Sequence, residues 1–147
     1  MLRPEDQFHA AIVVDDPVAA RAELSELFGY EWSPEGGAPL RLRLPSGETV
    51  LDIRCSYSKA APRLEVIRSI PGTLWSPVPG SRIHHLGYWS DDVAADTAAL
   101  EAKGYTCEAA GLREDGPPFF TFLASPKGPR VELLNRAMRP SMERLWA

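Results

Sequence analysis

The chain repeats itself. FHAAIVVDDPVAARAELSELFGYEW, residues 8–32, lies along IHHLGYWSDDVAADTAALEAKGYTCE, residues 83–108, so that His9 falls on His85, Asp15-Asp16 on Asp91-Asp92 and Gly29-Tyr30 on Gly104-Tyr105. Each stretch opens with about seven β-prone residues, turns at an Asp pair able to cap a helix, and continues with Ala, Leu and Glu at helical spacing up to a Gly that can end it. The ends of the halves match too. SKAAPRLEVI, 58–67, lies along SPKGPRVELL, 125–134, with Pro62-Arg63 on Pro129-Arg130 and Glu65 on Glu132. Such a repeat restricts the fold more than any total does, because both halves must be the same unit and must bury their apolar faces against each other.

Between these ends, LRLRLP (40–45) and ETVLDIRCSY (48–57) alternate as strands do, and YTCEAAGL and PFFTFLAS are their counterparts in the second half. Each half therefore reads β-α-β-β-β, and the fold class is α+β. Module one spans 6–68 and module two 83–136, joined by the Pro- and Gly-rich linker SIPGTLWSPVPGSR, 69–82, and followed by a tail, 137–147, able to form a short terminal helix. The extra residues of module one near SPEGGAP read as a loop insertion. At 147 residues the two modules fit one domain with a real core.

Totals exclude some partners. With 16 Lys+Arg against 20 Asp+Glu and no basic block, a nucleic-acid backbone is not expected to bind, and a small molecule is. Cys55 and Cys107 are too few and too far apart for a disulfide framework or a thiolate metal site, which suits a reducing compartment. No apolar run of about 18 residues and no secretory layout at MLRPEDQFHA is present, so the expectation is a cytoplasmic protein without a membrane partner.

The chemistry sits in the matched polar positions. Glu65 and Glu132 lie inside the short apolar strands LEVI and VELL, where a charge is costly to bury unless it is paired or holds a cation. His9 and His85 begin the first strand of each half, and two residues beyond each stands a small residue, Ala11 or Gly87, which leaves space on the same face. Imidazole and carboxylate are suitable ligands for a divalent Zn, Ni, Co, Mn or Fe, and a two-His, two-Glu set keeps positions open for water or substrate. One His or one Glu alone on a strand is ordinarily a core or solvated residue; four matched positions favour one divalent ion held by His9, Glu65, His85 and Glu132. Strict alternation places Ile83 with His85 and sets His84 on the other face with Leu86 and Tyr88, so His84 has a structural role and His84→Ala is expected to leave metal binding mostly intact. Asp52, in VLDIRC, competes with Glu65 for the first carboxylate but has no counterpart in module two. Arg63 and Arg130 stand two residues before the glutamates, placed to pair with them or to meet an anionic substrate, and Trp89, like Trp32, Trp75 and Tyr88, can line a pocket or a core.

FHAAIVVDD, IHHLGYWSDDVAADTAALEAKGY, RLEVI and RVELLN together resemble the vicinal oxygen chelate superfamily, which holds glyoxalase I, methylmalonyl-CoA epimerase, extradiol dioxygenases and bleomycin-resistance proteins. The resemblance covers nearly the whole chain and implies paired βαβββ modules forming an open, cupped mixed sheet around a divalent metal. It implies the ligand set His9, Glu65, His85 and Glu132, similar to bacterial glyoxalase I; methylmalonyl-CoA epimerases carry a Gln where Glu65 stands, and extradiol dioxygenases use two His and one Glu. The activity implied is that of a lyase or an isomerase or epimerase working through an enolate or enediolate, with Glu132, or its near-symmetric competitor Glu65, moving the proton. Arg63, Arg130 and Trp89 become candidate substrate contacts. The main alternative is a metal-free protein that sequesters a small molecule such as an antibiotic; an extradiol-type dioxygenase is the second. Members of this superfamily often pair, so a homodimer is expected.

Overall fold

The Asp pairs cap helices. Asp16 accepts from the Ala19 N–H at 3.0 Å to open α1, Pro17–Phe28, and Asp92 accepts from the Ala95 N–H at 3.0 Å to open α2, Val93–Glu101. Pro17 suits the first helical turn, and Gly29 ends α1 in the left-handed conformation (φ 75°) that costs a glycine nothing. In the computed structural model, which covers residues 1–147, the strands of module one are β1, Gln7–Val14; β2, Gly36–Leu44; β3, Gly47–Tyr57; and β4, Leu64–Arg68. Module two supplies β5, Ile83–Ser90; β6, Thr106–Gly111; β7, Phe120–Ala124; and β8, Val131–Asn135. A terminal helix, α3, covers Arg139–Trp146. No helix is long and apolar enough to cross a membrane.

The sheet runs β1-β4-β3-β2-β6-β7-β8-β5 and closes on itself. Each module has the same internal order, with its first strand parallel to its last, and the two modules meet along the antiparallel pair β1–β5. This is the mixed α+β architecture of the vicinal oxygen chelate fold, with one departure from the open cup expected: at the far edge Leu42 pairs with Gly111 and Arg43 with Ala110, and this two-residue seam joins β2 to β6. Closing the sheet removes two exposed strand edges, each a row of unpaired N–H and C=O groups.

The loop expected near SPEGGAP is in fact the start of β2. Gly36 pairs with Cys55, Gly37 with Arg54, Ala38 with Ile53 and Pro39 with Asp52. Pro39 can sit in a strand because β6 reaches only Leu42 and Arg43, leaving this part of β2 an edge where a missing N–H is harmless. Gly37 is required there: its φ is 134°, and a Cβ would strike the Ile53 backbone.

Two tryptophans from outside the strands complete the core. Trp75, from the segment between β4 and β5, is 1% exposed and packs edge-on against Phe122 at 5.7 Å. Trp146, at the end of α3, packs against Tyr57 at 6.0 Å. Both belong to the cluster that includes Ala11, Val13, Leu42, Ile67, Phe120 and Leu134. The linker is thus also a plug, because its apolar residue has nowhere else to be buried.

Candidate metal centre

Four strands that are neighbours in the sheet, β4-β1-β5-β8, each deliver one polar side chain to one point. The registers explain how. Ala11 stands opposite Glu65 on one side and His85 on the other, while Gly87 stands opposite His9 and Glu132. Each small residue therefore lies between its own module's glutamate and the other module's histidine. The space noted in the sequence serves the partner module's ring: a Cβ at Gly87 would run into the His9 imidazole.

His9 Nε2 and His85 Nε2 are 2.9 Å apart. Each lies 3.4 Å from Glu65 Oε1 and 3.3 Å from Glu132 Oε2. All four residues are buried, and the donor atoms lie within 4.8 Å of one another. Burial opposes charge on His9, yet Glu65 and Glu132 outweigh it and hold its pKa up at about 9. Burial likewise works against ionisation of the glutamates, but the two imidazoles hold both below the usual carboxylate range, Glu65 furthest. Burial first, and then the Glu65 charge, push Tyr57 and Cys55 well up, so both stay protonated beside the cluster.

The donor set fits a divalent ion. A divalent ion would displace the His9 proton, leaving two carboxylates and two imidazole lone pairs around one point, and Glu65 Oε1 is buried with no hydrogen-bond partner. Edges of 2.9–3.4 Å are what donors about 2.0–2.2 Å from a common centre span.

The sequence placed His84 apart from this chemistry; the structure places it against it. Ala11 pairs with His85 and Ile12 with Ile83, so His84 is the extra residue of a β-bulge, and the bulge breaks the alternation that sent it to the other face. His84 is 1% exposed, and burial lowers its pKa to about 4, so the ring is neutral. Its Nε2 lies 2.8 Å from the Leu74 carbonyl and must carry the proton, which leaves Nδ1 to accept from His85 Nδ1 at 2.9 Å. His85 Nε2 then presents a lone pair to the cluster. A bulge has no mark in the sequence, although the adjacent His-His pair was a signal of an unusual site.

Asp52 is not in the cluster. It lies on the exposed face of β3, paired with Arg54 at 2.9 Å. Arg130 bonds Glu108 at 2.7 Å and the His84 carbonyl at 3.0 Å, supporting the strand that carries the histidines. Arg63 bonds the Ser58 and Lys59 carbonyls and lies over the Trp146 ring at 3.8 Å. Trp89 is stacked on Phe8 at 3.8 Å. None of these three lines the cavity of about 310 Å³ on whose wall Glu65 and Glu132 stand, which also includes Cys55, Tyr57 and, from the tail, Met138, Met142 and Leu145. The sequence left the tail helix over either a partner or the site mouth, and it lines the cavity.

A family profile described as Glyoxalase/Bleomycin resistance protein/Dioxygenase superfamily matches residues 8–122. No curated protein matches the chain. Among solved structures, a Streptomyces coelicolor methylmalonyl-CoA epimerase variant in complex with 2-nitronate-propionyl-CoA is similar at 18% identity and TM-score 0.58, over 92% of this chain and 98% of that one. Methylmalonyl-CoA epimerase from Mycobacterium tuberculosis is similar at 18% identity and TM-score 0.56, over 97% of each chain. A mutant 4-hydroxymandelate synthase from Streptomyces coelicolor is similar at 20% identity and TM-score 0.55, over 88% of this chain and 38% of that one. At these identities the likeness shows a shared fold.

Proposed function

The chain belongs to the glyoxalase/bleomycin resistance protein/dioxygenase superfamily, and from that premise we propose that it is a divalent-metal-dependent enzyme, a glyoxalase-type lyase or an isomerase or epimerase. The observation that carries this reading is the convergence of His9, Glu65, His85 and Glu132, with Glu65 Oε1 buried and unbonded, at the edge of an open cavity. A divalent ion held by these four residues would supply Lewis acidity toward two neighbouring substrate oxygens and stabilise the negative charge that develops when a proton leaves the adjacent carbon.

The proton is moved by a carboxylate. Glu132 is the candidate base, because its side chain is the more accessible of the two, 12% exposed against 7% for Glu65. His84 holds the His85 ring in the tautomer a ligand needs. The apolar walls exclude water from the anion once substrate is seated, which strengthens every electrostatic contact within. The family resemblance supports a cytoplasmic homodimer, checked by fractionation and sedimentation velocity.

Elemental analysis of the untagged protein tests the reading. About one divalent ion per chain, lost in His9→Ala, is expected; no ion after reconstitution with Zn, Ni, Co, Mn and Fe overturns it. With a substrate in hand, Glu132→Gln is expected to suppress exchange of the substrate proton with solvent deuterium more than Glu65→Gln. The apolar cavity also favours a second reading, metal-free sequestration of a small molecule, which a metal-free protein would support.

A further inference from the structure

We propose that the substrate is an uncharged molecule with an aromatic body, which offers two adjacent oxygens to the centre and buries its ring in the cavity. This inference rests on the metal reading above for the oxygens and on the cavity alone for the ring.

The cavity walls come from four parts of the chain. Leu40 and Ile53 belong to module one, Phe119 and Phe120 to module two, Trp75 to the linker, and Met142 to α3. Phe119, Phe120, Phe122 and Trp75 stand edge to face at centroid distances of 4.8, 5.6 and 5.7 Å, so the cavity presents ring edges and faces to whatever enters. Met138 and Met142 cover it with flexible, polarisable chains that adapt to the outline of a guest. About 310 Å³ is at the small end of ligand pockets and suits a body of one or two rings.

Charge decides the rest. The only ionised groups on the cavity wall are Glu65 and Glu132, and no Lys or Arg lines it. With a divalent ion held at the centre those two charges are neutralised, and a carboxylate, phosphate or sulfonate on the ring end would be buried in the apolar wall with no cation beside it. Three arginines elsewhere are engaged: Arg130 holds Glu108, Arg68 holds Glu35, and Arg63 is bonded to backbone carbonyls over Trp146. A substrate carried on an anionic handle would have to keep that handle outside the cavity.

The test uses matched probes on the full chain. Benzohydroxamate, acetohydroxamate and 4-carboxybenzohydroxamate offer the same two oxygens, and their affinities for the metal-loaded protein are read by calorimetry. Benzohydroxamate is expected to bind at least tenfold tighter than either of the others. A 4-carboxybenzohydroxamate affinity equal to or above that of benzohydroxamate overturns the proposal. Met142→Arg, on the surface helix, is expected to close that gap at least tenfold; no change in it places the ring elsewhere and also overturns the proposal. The fluorescent dyes 1-naphthol and its anionic relative naphthalene-1-sulfonate, each of two rings, give a readout that needs no metal. If no ion is found but the uncharged dye binds at least tenfold tighter than the sulfonate, the cavity inference stands and the metal reading falls. If an ion is found and the dyes bind equally, the metal reading stands and the cavity inference falls.

Discussion

The two modules hold the same candidate ligands in the same register and surround them differently. His9 and His85, Glu65 and Glu132, and the caps Asp16 and Asp92 are two-fold copies. The residue beside each ligand is not. Both histidines follow a bulged residue, since register also slips between Gln7 and His9, but that residue is Phe8 in module one and His84 in module two. His85 Nδ1 is consequently tethered to His84, whereas His9 Nδ1 is buried with no partner. Opposite the tethered ring stands Ala11; against the untethered ring stands Gly87. Tyr57 and Cys55, beside Glu65 and Ile67, correspond to Phe122 and Phe120, beside Glu132 and Leu134. Symmetry fits a sphere such as a metal ion. The divergence around it sets Tyr57 and Cys55 on one side of the site and Phe122 and Phe120 on the other.

The largest effect is expected at the small residues. Gly87→Ala should displace the His9 ring and reduce bound metal as far as His9→Ala does, whereas Ala11→Gly should keep about one ion per chain; elemental analysis of both reads the difference. Equal retention in the two variants would mean that the contact between His9 and Gly87 does not position the ligand.

The plugs come next. Trp75 packs on Phe122 of module two and Trp146 on Tyr57 of module one, so the segment after each module seats a tryptophan against equivalent positions. Trp75 is held between β4 and β5, while Trp146 lies on α3, outside the barrel, with its indole N–H buried and unpaired. Trp75→Ala is expected to cost about 3–5 kcal/mol, as other buried large-to-small changes do. Trp146→Ala should cost about 1–3 kcal/mol, since α3 lies outside the closed sheet and can loosen without opening the barrel. Urea midpoints at unchanged m-value measure both.

His84→Phe turns the module-two environment into that of module one. Loss of the ring that orients His85 is expected to weaken metal binding about 10–100-fold, read by competition with a chelator. This replaces the alternation-based expectation that His84 is dispensable. An unchanged affinity would show that both histidines bind without a tether.

These contrasts also mark what a sequence can say. The four residues of the cluster were legible because four weak signals were constrained by one repeat: a glutamate in an apolar strand has several explanations, but two in the same Pro-Arg-apolar-Glu setting have fewer. The elements between them were legible from alternation and caps. Alternation failed at His84, where one extra residue in β5 turns a ring through the strand and no residue type announces it. Composition misled at Gly36–Pro39, where Gly- and Pro-rich sequence hides an edge strand whose partner is β3. The partner of Gly87 was invisible because it lies in the other module, and the closing seam between β2 and β6 because two residue pairs leave no pattern.

The smallest effect should come from the outer ends of the modules. In module one Ser69 donates to Asp15 at 2.7 Å, and in module two Arg136 holds Asp91 at 2.6 Å and also Asp6 at 2.8 Å. Asp6 is buried, and Arg136, with help from Arg3, holds its pKa down at about 2. Arg136→Ser copies the module-one arrangement and removes one of the two cations on Asp6. Because Arg3 still donates to both Asp6 oxygens, the expected loss is modest, about 2–4 °C in Tm near neutral pH. The sign of its pH dependence follows from a depressed carboxylate: its stabilisation is full above the unfolded pKa of about 4 and is lost as pH falls toward about 2. The gap between the two proteins in thermal scans should therefore shrink over that interval, and a gap that stays constant down to about pH 2 would assign the stabilisation to the Arg136 stem, which packs whatever the charge on Asp6.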